Sequence, residues 1–173
     1  MKISLATILL ASTLLTSGLA VADLNWNKPA KVFEPAIAQV KENTKIPILL
    51  PSDFPAPLKE GDIHFANGIS EQNKYEITLF YEEGAGYAAF VGYFSGEAKS
   101  KTSVRGKKVE LAKGISGYFK GKSCGGSCSP SQIEWLSNDV HYTLQLKIAV
   151  NSKDEEERAL ITAANSAILG GAR

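Results

Sequence analysis

Two cysteines lie close together in a glycine-rich segment, and a pair of thiols is the first feature whose spacing is compatible with chemistry. Cys124 and Cys128 are separated by three residues and follow Lys122, a cation able to acidify a nearby thiol. Thiol-exchange enzymes of the thioredoxin kind place C-x-x-C at a helix start, where the helix N-terminus stabilises the thiolate. Here the spacing is longer and Pro130 disfavours a helix. We therefore predict a disulfide between Cys124 and Cys128 that fixes a turn, with thiol-redox chemistry as the alternative.

The histidines and serines do not form a recognisable catalytic motif. A catalytic zinc site generally needs three protein ligands, and the chain has only His64 and His141, neither of them in H-E-x-x-H. Asp139 precedes His141 by two residues, but no G-x-S-x-G nucleophile elbow accompanies the pair. We expect no metal and no other cofactor, and we assign no catalytic residue. A small hydrolase stays an alternative.

Basic residues are concentrated in the segment that leads to the cysteines. Between Lys99 and Lys122 there are eight lysines and arginines and a single acid, Glu110. A local excess of this kind attracts anions such as lipopolysaccharide, a cell-wall polymer or an acidic protein surface, although a solvated loop and strand rim would also produce it. The residues that we predict to meet an anionic partner are Lys101, Arg105, Lys107, Lys108 and Lys122.

The beginning of the chain is typical of an export signal. Lys2 precedes a short apolar run over 5–11, and the small residues Ala20-Val21-Ala22 form an A-x-A cleavage site. The run is too short and too interrupted for a membrane-spanning helix. We predict a signal peptide over 1–22, a single exported domain over 23–173 that does not span the membrane, and a periplasmic or secreted location. Such compartments are oxidising, which favours the disulfide.

The charge balance excludes one class of partner. The chain has 19 basic and 18 acidic residues, and removal of the signal peptide takes away Lys2. The mature domain therefore carries 18 of each sign before its termini and histidines are counted. A uniformly basic binder of nucleic acid is not indicated.

Alternating apolar residues predict a series of strands. In the last of these, Tyr142 and Leu144 face one way while His141 and Thr143 face the other, and Ser137-Asn138-Asp139 favours a tight turn before it. We expect Trp135 and Tyr142 to be core or sheet residues and not a ligand platform. The predicted strands cover 75–81, 87–94, 109–111, 114–120, 132–136 and 140–150.

Helices are predicted at both ends of the domain. Val32, Phe33, Ile37 and Val40 share one face of a short helix, with Pro35 tolerable only in its first turn. The second helix begins after an S-x-x-E capping box at Ser152 and ends at Gly170-Gly171. Strands flanked by helices belong to the α+β class, so we predict a mainly antiparallel sheet with an N-terminal and a C-terminal helix.

The C-terminal third carries a resemblance to a known family. Its Gly117-Tyr118-Phe119, Ile133-Glu134-Trp135 and Val140-to-Leu144 segments, followed by the closing helix with Ala163-Ala164-Asn-Ser166, resemble a bacterial extracytoplasmic domain of unknown function. That domain occurs in exported and in envelope-regulatory proteins. The resemblance implies an antiparallel sheet with a packed helix, and it brings no catalytic residues.

These features together predict a non-enzymatic binding or accessory protein of the bacterial envelope. Its partner would be an anionic envelope component or a protein. One alternative is an enzyme inhibitor that presents the disulfide turn to a target cleft. The other is the small hydrolase or thiol-redox enzyme considered above.

Overall fold

The computed structural model describes residues 28–98, 104–125 and 127–173. The predicted signal peptide, 1–22, and the candidate Lys101 lie outside these residues. The described chain forms a seven-stranded antiparallel sheet, a two-stranded extension and two α-helices. The predicted α+β class, with a helix near each end, is confirmed.

The main sheet is built from two meanders joined at its centre. Its spatial order is β1-β2-β3-β9-β8-β5-β4, and every neighbouring pair is antiparallel. The first meander is β1 to β3, and the second runs from β4 to β9. The strands in chain order are β1 (Phe65–Glu71), β2 (Lys74–Phe80), β3 (Phe90–Ala98), β4 (Lys107–Glu110), β5 (Ser116–Lys120), β6 (Ser123–Cys124), β7 (Cys128–Ser129), β8 (Gln132–Ser137) and β9 (Val140–Leu146).

Both predicted helices are present and pack on the same face of the sheet. Helix α1 (Glu34–Lys41) follows a 3-10 turn over Lys31–Phe33 and has Pro35 in its first turn. Helix α2 (Lys153–Gly170) is capped by Ser152, whose Oγ accepts a hydrogen bond from the Glu155 N–H at 3.2 Å. Gly171 ends the helix in a positive-φ conformation.

The hydrophobic core lies between the helices and one face of the sheet. Because successive strand residues point to opposite faces, alternate positions supply this core. The buried positions contributed by the strands are Ala66, Tyr75, Ile77, Leu79, Val91, Phe94, Val109, Phe119, Ile133, Trp135, Val140, Tyr142, Leu144 and Leu146. Trp135 and Tyr142 stack at 5.4 Å between ring centroids, so they are core residues as predicted.

Two buried tyrosines of the sheet form hydrogen bonds with the proline-rich connection over 46–58. The Tyr75 hydroxyl accepts a hydrogen bond from the Leu49 N–H at 3.0 Å, and the Tyr142 hydroxyl donates to the Pro47 carbonyl at 3.0 Å. The chain end meets the same connection, because the Arg173 N–H donates to the Ile48 carbonyl at 3.0 Å. The connection is therefore held as part of the core.

Some predicted boundaries are wrong. The strand predicted at 87 begins at Phe90, after a 3-10 turn over Gly86–Ala89, and it continues to Ala98. The strand predicted to reach residue 150 ends at Leu146, which pairs with Gly92 near the beginning of the antiparallel strand β3.

Within the described residues, no helix is long and apolar enough to cross a membrane.

The predicted tight turn before β9 is confirmed, with φ of 49° at Asn138 and 60° at Asp139. Two successive positive φ angles are typical of the type I′ turn, whose twist suits a two-residue hairpin.

The central pairing of β3 with β9 depends on the absence of a side chain at Gly92. A Cβ there would lie 2.1 Å from the Gln145 carbonyl oxygen, a backbone atom that moves only with β9. We predict that Gly92→Ala lowers the free energy of unfolding by about 1–3 kcal/mol. Urea denaturation at neutral pH measures the change. Gly61→Ala is the control, since its Cβ would meet nothing within 4 Å, and an equal loss in both variants would contradict the prediction.

Candidate functional site

The face of the sheet opposite the helices carries polar side chains at its centre and apolar side chains around them. The apolar side chains are Phe65, Phe80 and Phe90, whose rings are in contact, and the exposed Ile69 and Leu136. The polar residues at the centre of this face do not belong to the buried apolar cluster of the described chain. We name its two central rows the polar face. The first row is Asn67, Thr78, Tyr93, Gln145, Gln132 and Lys120, and the second row is Glu76, Ser95, Thr143, Glu134, Tyr118 and Lys108.

The strand register brings these side chains together. Tyr93 lies opposite Gln145, and Ser95 lies opposite Thr143, so the two meanders contribute adjacent positions. Adjacent strands are about 4.8 Å apart, and a row that crosses six strands is therefore roughly 24 Å long. The polar face is thus an extended surface on the sheet and not a deep cleft.

Glu134 is the buried charge at the centre of the second meander. Its side chain is 6 % exposed, and its Oε1 accepts a hydrogen bond from the Lys120 ammonium at 2.6 Å. The Gln132 amide also donates to this oxygen, and the Gln145 amide donates to the Gln132 side-chain oxygen at 3.3 Å. The carboxylate therefore orients the Gln132 amide directly and the Gln145 amide through it.

The pKa of the Glu134 carboxyl reflects opposing causes. Burial raises it, because desolvation disfavours the charged form. Contacts with His141 and Lys120 favour the carboxylate and outweigh burial, so the pKa lies below its usual range. Glu134 is therefore a carboxylate at neutral pH and stabilises the folded state in that form.

His141 lies beside Glu134 at the margin of the polar face. Its Nε2 is 3.5 Å from Glu134 Oε2, and its side chain is 11 % exposed. Both atoms are buried, and neither makes a hydrogen bond within the described residues. Asp139, which the sequence places near His141, lies in the turn that precedes β9. The geometry thus pairs His141 with a glutamate from the neighbouring strand.

Two tyrosines provide aromatic surface on the polar face. Tyr118 lies directly opposite Glu134 and Lys108, and Tyr93 lies between Thr78 and Gln145. Burial raises the pKa of the Tyr93 hydroxyl, and the carboxylates of Glu76 and Glu134 raise it further. The Tyr93 hydroxyl is therefore neutral at physiological pH and can both donate and accept hydrogen bonds.

The predicted disulfide is present at the tip of a hairpin. Cys124 and Cys128 are bonded and lie opposite each other on β6 and β7, the short extension beyond β5 and β8. Both cysteines are exposed. The Gln145 amide donates to the Pro130 carbonyl at 3.3 Å, so this extension starts at one end of the polar face.

The predicted basic residues do not share one surface in the described chain. Lys107 and Lys108 are successive residues of β4 and point to opposite faces of the sheet. The Lys107 ammonium lies 2.8 Å from Glu157 Oε1 of α2, an ion pair that raises the Lys107 pKa, whereas Lys108 belongs to the polar face. Lys122 lies with Gly121 near the N-terminus of α2, and Arg105 is exposed in the loop before β4. Binding of an anion by this set stays a prediction.

Sequence reasoning did not identify the cluster around Glu134. Gln132 and Glu134 alternate with buried Ile133 and Trp135, as a strand with one polar face requires. That alternation is the feature of the sequence that could have indicated a polar side of β8. The partners of Glu134 come from β5 and β9, so only the strand order reveals the cluster.

In the described part of the chain, no group of three or more potential ligands could hold a metal ion. Comparisons with protein-family models, with curated proteins and with solved structures gave no match.

Replacing Glu134 tests the charge cluster. We predict that Glu134→Gln lowers the free energy of unfolding at pH 7 by about 1–3 kcal/mol, because Lys120 loses a charge-assisted hydrogen bond. The folded-state pKa of Glu134 is lowered, so its contribution exists above the unfolded-state pKa and is lost as pH falls through the folded-state pKa. The difference between wild type and variant should therefore shrink on acidification, measured by urea denaturation from pH 7 to about 3.

The matched control for this experiment is Glu110→Gln, an exposed glutamate at the sheet edge. Its effect should stay within about 0.5 kcal/mol. A difference for Glu134→Gln that does not change with pH would contradict the assigned role of the charge.

The disulfide should contribute little to global stability. Because its ring is small and the hairpin tip is exposed, we predict that the Cys124→Ser and Cys128→Ser double variant loses at most about 2 kcal/mol and unfolds cooperatively. Thermal and urea unfolding without reductant measure the effect. Loss of cooperative unfolding would show that the hairpin tip supports the core.

Proposed function

We propose that this chain is a non-enzymatic binding protein of the bacterial envelope, exported to the periplasm or the outside, and that the polar face is its binding surface. The observation that supports this proposal is that twelve polar or charged side chains form two rows on the sheet face opposite the helices. Lys120 and Gln132 both donate hydrogen bonds to Glu134. These contacts favour a preorganised binding surface over a reactive group.

Export is supported by the sequence and by the disulfide. The first 22 residues have the pattern of a signal peptide, and a bonded cysteine pair persists in an oxidising compartment. The resemblance of the C-terminal third to a bacterial extracytoplasmic domain supports the same location.

At the edge of the sheet the proposal is more specific, because there we propose that the partner is anionic. Lys108 extends the polar face at β4, and Arg105 lies in the exposed loop before that strand. Lys107 and Lys122 lie toward α2 and do not belong to the polar face. They therefore offer an anion a second surface.

The hairpin tip favours a second candidate function. Cys124 and Cys128 fix an exposed extension that leaves the main sheet beyond β5 and β8. A small, rigid and protruding turn is a suitable shape for insertion into the cleft of an enzyme. In that case the chain would be an inhibitor.

Binding to an envelope fraction tests the proposed surface. We predict that Thr143→Arg, at the centre of the polar face, reduces retention of the mature protein on bacterial envelope fractions by about tenfold, because the long side chain blocks both rows. Co-sedimentation with quantitative immunoblotting measures retention, and circular dichroism confirms folding.

The same substitution on the helix side provides the control. Thr162→Arg lies on the exposed surface of α2 and should leave retention unchanged. Unchanged retention for Thr143→Arg would refute the polar face as the binding surface. Loss of binding only in the Cys124→Ser and Cys128→Ser double variant would favour the hairpin tip instead.

A further inference from the structure

We propose that the open edge of β1 binds an extended segment of a partner protein as an additional strand of the main sheet. This edge is a different surface from the polar face. The observations that lead to it are the open backbone groups along β1, the weak protection of this edge and an apolar groove beside it.

The two edges of the main sheet differ in how they are protected. Short length, charged side chains and prolines discourage an edge strand from pairing with another chain. Strand β4 has only four residues, and three of them are charged, Lys107, Lys108 and Glu110. Strand β1 has seven residues, no proline and a single charge, Glu71, and its Ile69 is 60 % exposed. Within the described residues β1 pairs only with β2, so it is the edge that is open to another strand.

A hydrogen bond from Gly68 shows which backbone groups of β1 face outward. The Gly68 N–H donates to the Gln39 side-chain oxygen at 2.8 Å, so it does not donate to β2. Because residues of an antiparallel strand bond alternately to one side and the other, Ala66 and Ser70 face outward as well. Their N–H groups have no acceptor within the described residues. Such a row of backbone donors and acceptors is complementary to the backbone of an extended peptide.

The open stretch has the length of a short peptide strand. From Ala66 to Ser70, β1 spans about 14 Å. The stretch ends at Gln72, whose carbonyl accepts a hydrogen bond from the Lys45 N–H at 3.2 Å. At its middle, the carboxamide of Gln39, an exposed residue of α1, takes the position that a peptide carbonyl of an added strand would take. An added strand therefore replaces one side-chain contact and gains backbone bonds on both sides of it.

A groove beside β1 offers space for side chains of an added strand. Its volume is about 370 Å³, and it lies between the first residues of β1 and the beginning of α1. Among the described residues that line it, none belongs to β2, so the groove is on the open side of β1. Most of its lining is apolar and comes from Val32, Pro35, Ile63, Phe65 and Ala66. Because the side chains of a strand alternate between its faces, we expect a partner segment with apolar residues at the positions that face the groove.

Peptide selection followed by hydrogen exchange tests this assignment. The probe is a phage-displayed library of random dodecapeptides, selected on the mature protein, and the enriched peptides are then synthesised. We expect enriched peptides to bind with a Kd below about 100 μM. Binding should slow hydrogen exchange of the Ala66 and Ser70 amides at least about tenfold. The Asn67 and Ile69 amides face β2 and should be protected with and without peptide.

Two substitutions locate the bound peptide. Ser70→Pro removes an outward N–H group at a position where an edge strand tolerates proline, and we expect at least about tenfold weaker binding. Ser70→Ala keeps the N–H group and should bind as the wild type does. Gln39→Ala should strengthen binding about two- to tenfold, because the peptide no longer displaces a side-chain hydrogen bond. Since Gln39→Ala leaves β1 unchanged, the test stays decisive if Ser70→Pro fails to fold.

Failure to select any peptide of this affinity would overturn the proposed edge site. Binding that folded Ser70→Pro leaves unchanged, or that Gln39→Ala does not strengthen, would do the same, because the peptide would then bind elsewhere. Self-association of the wild type that Ser70→Pro abolishes would show that a second copy of the chain occupies the edge, which also refutes a partner peptide. Thr143→Arg should leave peptide binding unchanged, so its effect on envelope retention tests the polar face separately.

Discussion

The pairing of β3 with β9 is the interaction on which the rest of the structure depends. These strands are far apart in sequence, and their seven paired positions join the two meanders into one sheet. Gly92 permits the pairing because a side chain there would collide with the backbone of β9. Without this junction, neither the continuous core on one face nor the continuous polar rows on the other would exist.

The core and the polar face are two consequences of the same alternation. Each central strand gives most of its apolar residues to the helix side and most of its polar residues to the other side, where Phe80 and Leu136 are apolar exceptions. The helices and the proline-rich connection cover only the apolar side, where Tyr75 and Tyr142 bind the connection through their hydroxyls. The core and the polar rows therefore lie on opposite faces, so a substitution such as Thr143→Arg changes the polar face without removing a core side chain.

Glu134 connects the polar face to the stability of the fold. A buried carboxylate is tolerated only when it is paired and hydrogen-bonded, and Lys120 and Gln132 provide those contacts from the same hairpin. The arrangement holds the Gln132 and Gln145 amides in place. Under the proposed binding function, this preorganisation would reduce the entropy cost of binding.

The sequence alone determined the fold class, the two end helices, the caps of α2, the turn at Asn138-Asp139 and the cysteine pairing. These features depend on periodicity and on local chemistry, which a linear chain displays. It could not determine where β3 begins, because the 3-10 turn over Gly86–Ala89 forms from residues that also suit a strand. Nor could it show that Lys107 is paired with α2, or that Lys120, Glu134 and His141 form one cluster. Tertiary structure decided these contacts, because the order in which antiparallel strands assemble is set by long-range packing and not by any segment on its own.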